Sequence, residues 1–265
     1  ARAGQRFHLD PFQVEFLREF WRRRPDGRRV YQVGLWGMPK GCGKTPVAAG
    51  LGTHAVVSET DAPEVYSIAG AKDQAAICHG FARDNIEDGR LAAWLDAGST
   101  ISCPEHRGEY TVQSSDGDLG HGVNPSAAIV DEWWLFQHRK HRESYNALAK
   151  ALHKRSGRSW LLAITQAGFD LSSQLGETYE AAMKHPQLEV LSDGFLRVVR
   201  DEDAGFLCWW YGLPDELAGE VDIEDPAVIR ACNPALWVDP RDLIAELRRA
   251  DTDELDWRRL HLNQW

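Results

Sequence analysis

Apolar residues recur along this chain in two alternating rhythms. Phe12, Phe16 and Phe20 fall four residues apart after Pro11, with Leu17 and Trp21 beside them, which predicts one apolar helix face. A polar loop at 25–29 follows. The run Val-Tyr-Gln-Val-Gly-Leu-Trp at 30–36 then reads as a buried strand. A glycine-rich turn at 37–45 leads into a helix carrying Val47, Ala48, Ala49 and Leu51, with Pro46 in its first turn, where a missing N–H does no harm. The alternation continues, with strands predicted at 65–69, 110–113, 126–130 and 160–165 and helices at 73–86, 145–152 and 171–183. Strands alternating with helices predict an α/β fold, with a mainly parallel twisted sheet and helices on both faces. Asp10-Pro11, Asp225-Pro226 and Asp239-Pro240 each pair an N-cap carboxylate with proline at the first helical position.

The pattern changes after about Pro186. Residues 188–199 and 206–211 read as strands, and two acidic helices are expected near 225–232 and 240–250. The expected organisation is therefore a core at 1–190 and a small C-terminal α+β extension at 191–265, although no linker-like composition marks the join. No internal repeat or low-complexity tract is present.

Composition narrows the class. With 43% hydrophobic and 26% charged residues, the chain has the make-up of an ordinary globular domain and not of a disordered one. It contains no run of about eighteen apolar residues to form a membrane span and no signal-peptide core at its start, so no membrane association is expected. Five cysteines, none in a CxxC pair, argue against a disulfide framework or structural zinc site and fit a reducing compartment better. Cys103 and His106 read as a buried thiol and a surface imidazole. The net charge of −10 argues against a surface that coats nucleic acid all round, but leaves room for one basic face. Arg22, Arg23, Arg24, Arg28 and Arg29, the run 138–142, and the run 150–158 are each either a phosphate-contacting patch or a solvated surface. Among the eleven tryptophans, the pairs Trp133-Trp134 and Trp209-Trp210 read as core or subunit-interface packing, because duplex DNA hides its bases.

Two segments carry chemistry. Met38-Pro39-Lys40-Gly41-Cys42-Gly43-Lys44-Thr45 follows a strand and opens a helix, as a phosphate-binding P-loop does, with Met38 in place of its first glycine. Gly43 lets the backbone turn its amides inward, so that Gly41, Cys42, Gly43, Lys44 and Thr45 cradle phosphate at a helix N-terminus. Lys44 supplies a mobile cation to the β and γ phosphates, and the Thr45 hydroxyl is a hard oxygen ligand for Mg²⁺. The apolar strand Ala127-Ala-Ile-Val ending in Asp131-Glu132 has the form of a Walker B segment. There Asp131 would hold the Mg²⁺ shell, and Glu132 would orient and deprotonate the attacking water. The second acid favours an ATPase over a kinase. The core at 1–190 is thus expected to be a P-loop ATPase using ATP and Mg²⁺.

These residues resemble the large terminase subunits of tailed bacteriophages, the ATPase motors that package DNA. That family has a deviant P-loop lacking the first glycine and holding a basic residue, the place taken here by Lys40. The resemblance implies that Lys40 touches the γ-phosphate or senses its loss, though lysine lacks the planar fork of arginine. Leu9-Asp-Pro11-Phe-Gln13 is similar to the family's adenine motif, which implies base reading by Gln13. Ala71-Lys-Asp-Gln74-Ala75, Gly122-Val-Asn-Pro-Ser126, Asn233-Pro-Ala and Leu260-His-Leu-Asn263-Gln-Trp265 also resemble family segments. Ala163-Ile-Thr165-Gln166-Ala-Gly168-Phe-Asp170 is similar to its coupling motif, which implies that Thr165 and Gln166 link the γ-phosphate to movement. The resemblance runs from about residue 9 to the last residue.

Two departures stand out. Where the family often carries a basic trans finger, just before Gly122, this chain has His121, leaving Arg107, Arg139, Arg142 or another residue for that role. The family also continues into a metal-dependent nuclease, which this chain stops short of, so no nuclease activity is expected here. The acidic run 220–225 reads as the approach to a helix. The resemblance implies a viral protein of the host cytoplasm that forms a ring during packaging. Its implied partners are double-stranded DNA, a portal protein and a small terminase subunit. Two other readings stay open: another DNA translocase or helicase, and a nucleotide-free assembly module with a decayed P-loop.

Overall fold

The computed structural model describes residues 8–70, 72–87, 90–114 and 122–265. Among these, ten strands form one sheet in the order β3-β4-β5-β2-β6-β7-β1-β10-β9-β8. In chain order the elements are α1 (Pro11–Phe20), β1 (Val33–Gly37), α2 (Lys44–Ser58), β2 (Glu64–Ala69), α3 (Lys72–Glu87), β3 (Asp96–Ala97), β4 (Ile101–Cys103), β5 (Gly108–Ser114) and β6 (Ala127–Asp131). Then come α4 (Arg139–Ala151), β7 (Trp160–Thr165), α5 (Gln174–Met183), β8 (Leu188–Leu191), β9 (Leu196–Asp201), β10 (Phe206–Tyr211), α6 (Pro226–Cys232), α7 (Pro240–Leu247) and α8 (Glu254–Trp257). Ala71 and His121 lie outside the described residues, as does the side chain of Gln74.

Strands β5, β2, β6, β7, β1 and β10 run parallel, while antiparallel pairs β5–β4–β3 and β10–β9–β8 close the two edges. The sheet is therefore mixed, although its centre is the expected parallel one. The expected strand at 188–199 is two strands, because Ser192, Asp193 and Gly194 all take positive φ and reverse the chain. The short strands β3 and β4 carry too few residues to show a period and were not expected from the pattern.

The central strands are apolar at consecutive positions because both faces are covered. Trp36, Leu162, Ile164 and Trp209 face one side, where Phe12, Phe16 and Phe20 of α1 and Val47 and Ala48 of α2 pack. Leu35, Leu161, Ala163 and Trp210 face the other, against Leu148 of α4 and Leu175 and Tyr179 of α5. The Phe16 ring stacks on Trp36 at 4.3 Å, so the four-residue phenylalanine spacing docks α1 on β1. Trp133, Trp209 and Trp210 are buried, in keeping with packing roles, and Trp133 stacks on Tyr145 at 4.4 Å.

A third apolar cluster joins Phe195, Leu213, Ile229, Cys232, Ile244, Trp257 and Leu262. It fastens α6, α7 and α8 together beside the sheet edge. Asp225 and Asp239 cap their helices through bonds from Ala227 N (2.8 Å) and Arg241 N (2.9 Å). No helix among the described residues is long and apolar enough to cross a membrane.

Candidate nucleotide site

β1 ends at Gly37 and α2 begins at Lys44, so residues 38–43 turn at the C-terminal ends of parallel strands, where α/β sheets open a crevice. The left-handed positions of this turn fall on Gly41 (φ 88°) and Gly43 (φ 73°), which lack the Cβ that would oppose them. Met38 needs no such freedom: it is absent from the positive-φ positions and is fully buried in the core. Methionine for glycine at that place is compatible with the geometry of the turn.

Lys44 is 5% exposed and curls back into the turn, its Nζ donating to the carbonyls of Met38 (2.7 Å) and Pro39 (2.9 Å). The Thr45 hydroxyl lies 3.4 Å from Asp131 Oδ1 at the end of β6. The turn and the acidic strand end, far apart in sequence, thus meet in space. Burial and the neighbouring Glu132 push the Asp131 carboxyl up to about 7, against the opposing pull of Lys44 and Thr45. A hydroxyl and a buried carboxylate side by side are hard oxygen donors that fit a divalent cation, which would relieve the crowded negative charge.

Glu132 takes a left-handed backbone (φ 50°, ψ 54°) where the chain leaves β6 for a 3₁₀ turn at Trp133–Leu135. That conformation is unusual for a residue with a side chain and marks a position fixed by its surroundings. The half-buried Glu132 carboxylate accepts a short hydrogen bond from the indole N–H of Trp134. The Trp134 backbone N–H in turn donates to the Thr165 hydroxyl (3.1 Å), which donates to the Gln166 carbonyl (2.9 Å). The Thr165 carbonyl accepts from Met38 N (3.1 Å). Thr165, buried at the end of β7, therefore touches both the phosphate turn and the acidic segment. Gln166, 3% exposed, lies just beyond it.

Several residues act from outside these motifs. Arg259 of the π-turn Arg258–Leu262 lies over the rings of Trp134 (4.5 Å) and Phe169 (4.0 Å) and pairs with Asp256 at 2.7 Å. Asn263 accepts from Ala167 N and donates to the Tyr211 carbonyl, both at 2.6 Å. Lys40 N donates to the Leu260 carbonyl at 2.8 Å, while the Lys40 side chain is exposed. Cys42 Sγ donates to Asn233 Oδ1 at 3.7 Å. The sequence marked Asn233 and Asn263 only by resemblance, and gave Trp134 and Arg259 no role at this site. The partners of both lie far along the chain or depend on the turn at Glu132, so no local pattern reveals them.

Gln13 is fully buried, with both ends of its amide engaged. Its Oε1 accepts from Asp10 N (3.1 Å) and its Nε2 donates to the Cys42 carbonyl (3.2 Å). It borders the phosphate turn, and contact with a base would require it to exchange one of these bonds. Arg139, strongly exposed, pairs with Glu143 (2.8 Å), and Arg142 pairs with Glu177 (3.1 Å), tying α4 to α5. Arg107 is exposed in the turn before β5, at the end of the parallel strands opposite the phosphate turn.

The sequence matches no protein-family model and no curated protein. Solved structures do match. The large terminase of bacteriophage HK97 has a TM-score of 0.77 at 23% identity, covering 98% of this chain and 51% of that one. The ATPase domain of the Thermus phage P74-26 large terminase has a TM-score of 0.59 at 14% identity, covering 97% of this chain and 99% of that one. The large terminase of a thermophilic bacteriophage has a TM-score of 0.60 at 9% identity, covering 98% of this chain and 54% of that one. The chain thus spans about half the length of the HK97 protein. These likenesses agree with the resemblance that runs from about residue 9 to the last residue: the fold is the one seen in the ATPase domains of phage large terminases.

Proposed function

We propose that the chain is the ATP-hydrolysing motor domain of a viral large terminase, driving double-stranded DNA into a capsid. The observation that carries this reading is the approach of Thr45 to Asp131, with Lys44 in the turn beside them and Glu132 next along the chain. In this scheme the amides of residues 41–45 and the Lys44 ammonium hold the β and γ phosphates. Thr45 and Asp131 hold Mg²⁺, which neutralises phosphate charge. Glu132 orients a water toward the γ-phosphorus and takes its proton as the bond to the ADP oxygen breaks. A thermophilic phage terminase of this fold has a structure in complex with ADP, which supports a nucleotide as the ligand.

Thr165 is suited to transmit the change, since its carbonyl binds the turn and its hydroxyl binds the segment after Glu132. Lys40, whose side chain is exposed on the same turn, would sense the γ-phosphate in this scheme. A neighbouring subunit in a ring would supply an arginine, with Arg139, Arg142 and Arg107 as candidates. Portal protein and small terminase subunit are the remaining partners in this reading, and the host cytoplasm its setting. The decayed-turn alternative, prompted by Met38, is separated from this reading by nucleotide binding; the positive φ of Gly41 and Gly43 supports an intact turn.

The test is hydrolysis of MgATP by the purified chain, alone and with duplex DNA, beside a Lys44→Ala variant. Turnover that falls to background in the variant is expected. An inactive parent that binds no non-hydrolysable ATP analogue at millimolar concentration would overturn the reading.

A further inference from the structure

We infer that Trp237 is the stacking platform for the purine base of the bound nucleotide. The proposal rests on the nucleotide reading above and adds to it the residue that holds the base. Trp237 lies in the loop between α6 and α7, almost two hundred residues from the turn it meets. Its indole N–H donates to the Gly41 carbonyl at 2.8 Å. A Cβ placed on Gly43 would lie 3.3 Å from Trp237 Cζ2 and 3.0 Å from Gln13 Nε2. The indole edge and the Gln13 amide therefore meet on the same side of the last glycine before Lys44.

Hydrogen bonds tie the loop down on both sides of Trp237. Arg230 donates to the carbonyls of Asn233 (3.3 Å), Ala235 (2.6 Å) and Val238 (2.5 Å), and Asp10 Oδ2 accepts from Leu236 N (3.3 Å). Despite these clamps, Trp237 remains 52% exposed. A large aromatic ring fixed at the mouth of a phosphate turn, but left open to solvent, contributes little to the core. The ring meets Phe12 at 6.3 Å between centroids, and its exposed half offers apolar surface to a flat partner such as the π-face of a base. In this reading the sugar and base of a triphosphate held by residues 41–45 leave the turn on the side where Gln13 and Trp237 meet Gly43. Gln13 would read the base edge by exchanging its bond with Asp10 N or with the Cys42 carbonyl, and Trp237 would cover the base's face.

The experiment separates base from phosphate. Binding of MgATP and of magnesium tripolyphosphate is measured by calorimetry for the parent, Trp237→Ala and Trp237→Phe. The alanine variant is expected to bind ATP roughly 5- to 100-fold more weakly, the range set by losing one base–aromatic stack. Its tripolyphosphate affinity should stay within about twofold of the parent, since the phosphate contacts are intact. The phenylalanine variant, which keeps a ring but loses the bond to Gly41, should recover most of the ATP affinity. Unchanged ATP binding in Trp237→Ala would overturn the proposal. An equal loss for both ligands would also overturn it, reducing Trp237 to a brace for the turn. A parent that binds neither ligand would sink the nucleotide reading, and this inference with it.

Discussion

The phosphate turn has an inner and an outer wall, built in different ways. The inner wall is the sheet itself: Met38 N binds the Thr165 carbonyl at the end of β7, and Thr45 meets Asp131 at the end of β6. Its geometry follows from strand register, since β1, β7 and β6 are neighbours running the same way. The outer wall comes from helix α1 and the last third of the chain. Gln13, Trp237, Asn233 and the Leu260 carbonyl each take one group of residues 40–42. The inner wall carries the groups suited to chemistry, and the outer wall carries groups suited to grip and orient. Residues 257–263 belong to both, because Arg259 stacks on Trp134 while Asn263 bridges Ala167 to Tyr211. The C-terminal segment is therefore in contact with both walls of the turn.

The sharpest way to break this division is at the inner wall. Replacing Glu132 by Gln keeps shape and removes the base, so single-turnover hydrolysis should fall about 10²- to 10⁴-fold with ATP affinity retained. A variant that hydrolyses at the parental rate would remove Glu132 from the scheme.

The joint between the walls is tested by Asn263→Ala. It strands a buried N–H at Ala167 and a buried carbonyl at Tyr211, a loss of about 2–4 kcal/mol. Thermal unfolding should shift downward by roughly 5–15 °C. A shift within a degree would mean that the segment is only loosely attached.

Asp131 adds a dependence on pH. Its folded pKa, about 7, is raised above the ordinary carboxylate value, so the folded state holds the proton more tightly than the unfolded chain. The protein is then stabilised below the ordinary carboxylate value and loses that stability as pH rises toward 7. Asn at this position cannot ionise. The melting temperature of Asp131→Asn, measured without nucleotide or metal, should gain on the parent between pH 4 and 7 and level off above. A constant difference across that range would show that the carboxyl titrates normally.

The smallest effect is expected at Trp134→Phe. It removes the N–H that holds the Glu132 carboxylate but keeps an aromatic ring beneath Arg259. The expected outcome is a fall in kcat of about 3- to 10-fold with unchanged KM for ATP. A matching rise in KM would place the effect on binding and not on the orientation of Glu132.

What could be read from the chain alone was the local part. The P-loop segment, the acidic strand end and the alternation of strands and helices are contiguous in sequence, and their physics is short-range: a left-handed glycine, a helix start, an apolar run on a doubly covered strand. The Ser192-Asp193-Gly194 reversal was also written in turn residues, although the apolar residues on either side masked it as one strand. Tertiary structure alone decided which groups surround the turn. Trp237, Arg259 and the bond from Trp134 to Glu132 depend on distant segments docking against one another, and on a left-handed residue that no periodicity announces. Trp237 and Arg259 are brought near the site by segments that bury the apolar cluster around Ile229 and Trp257.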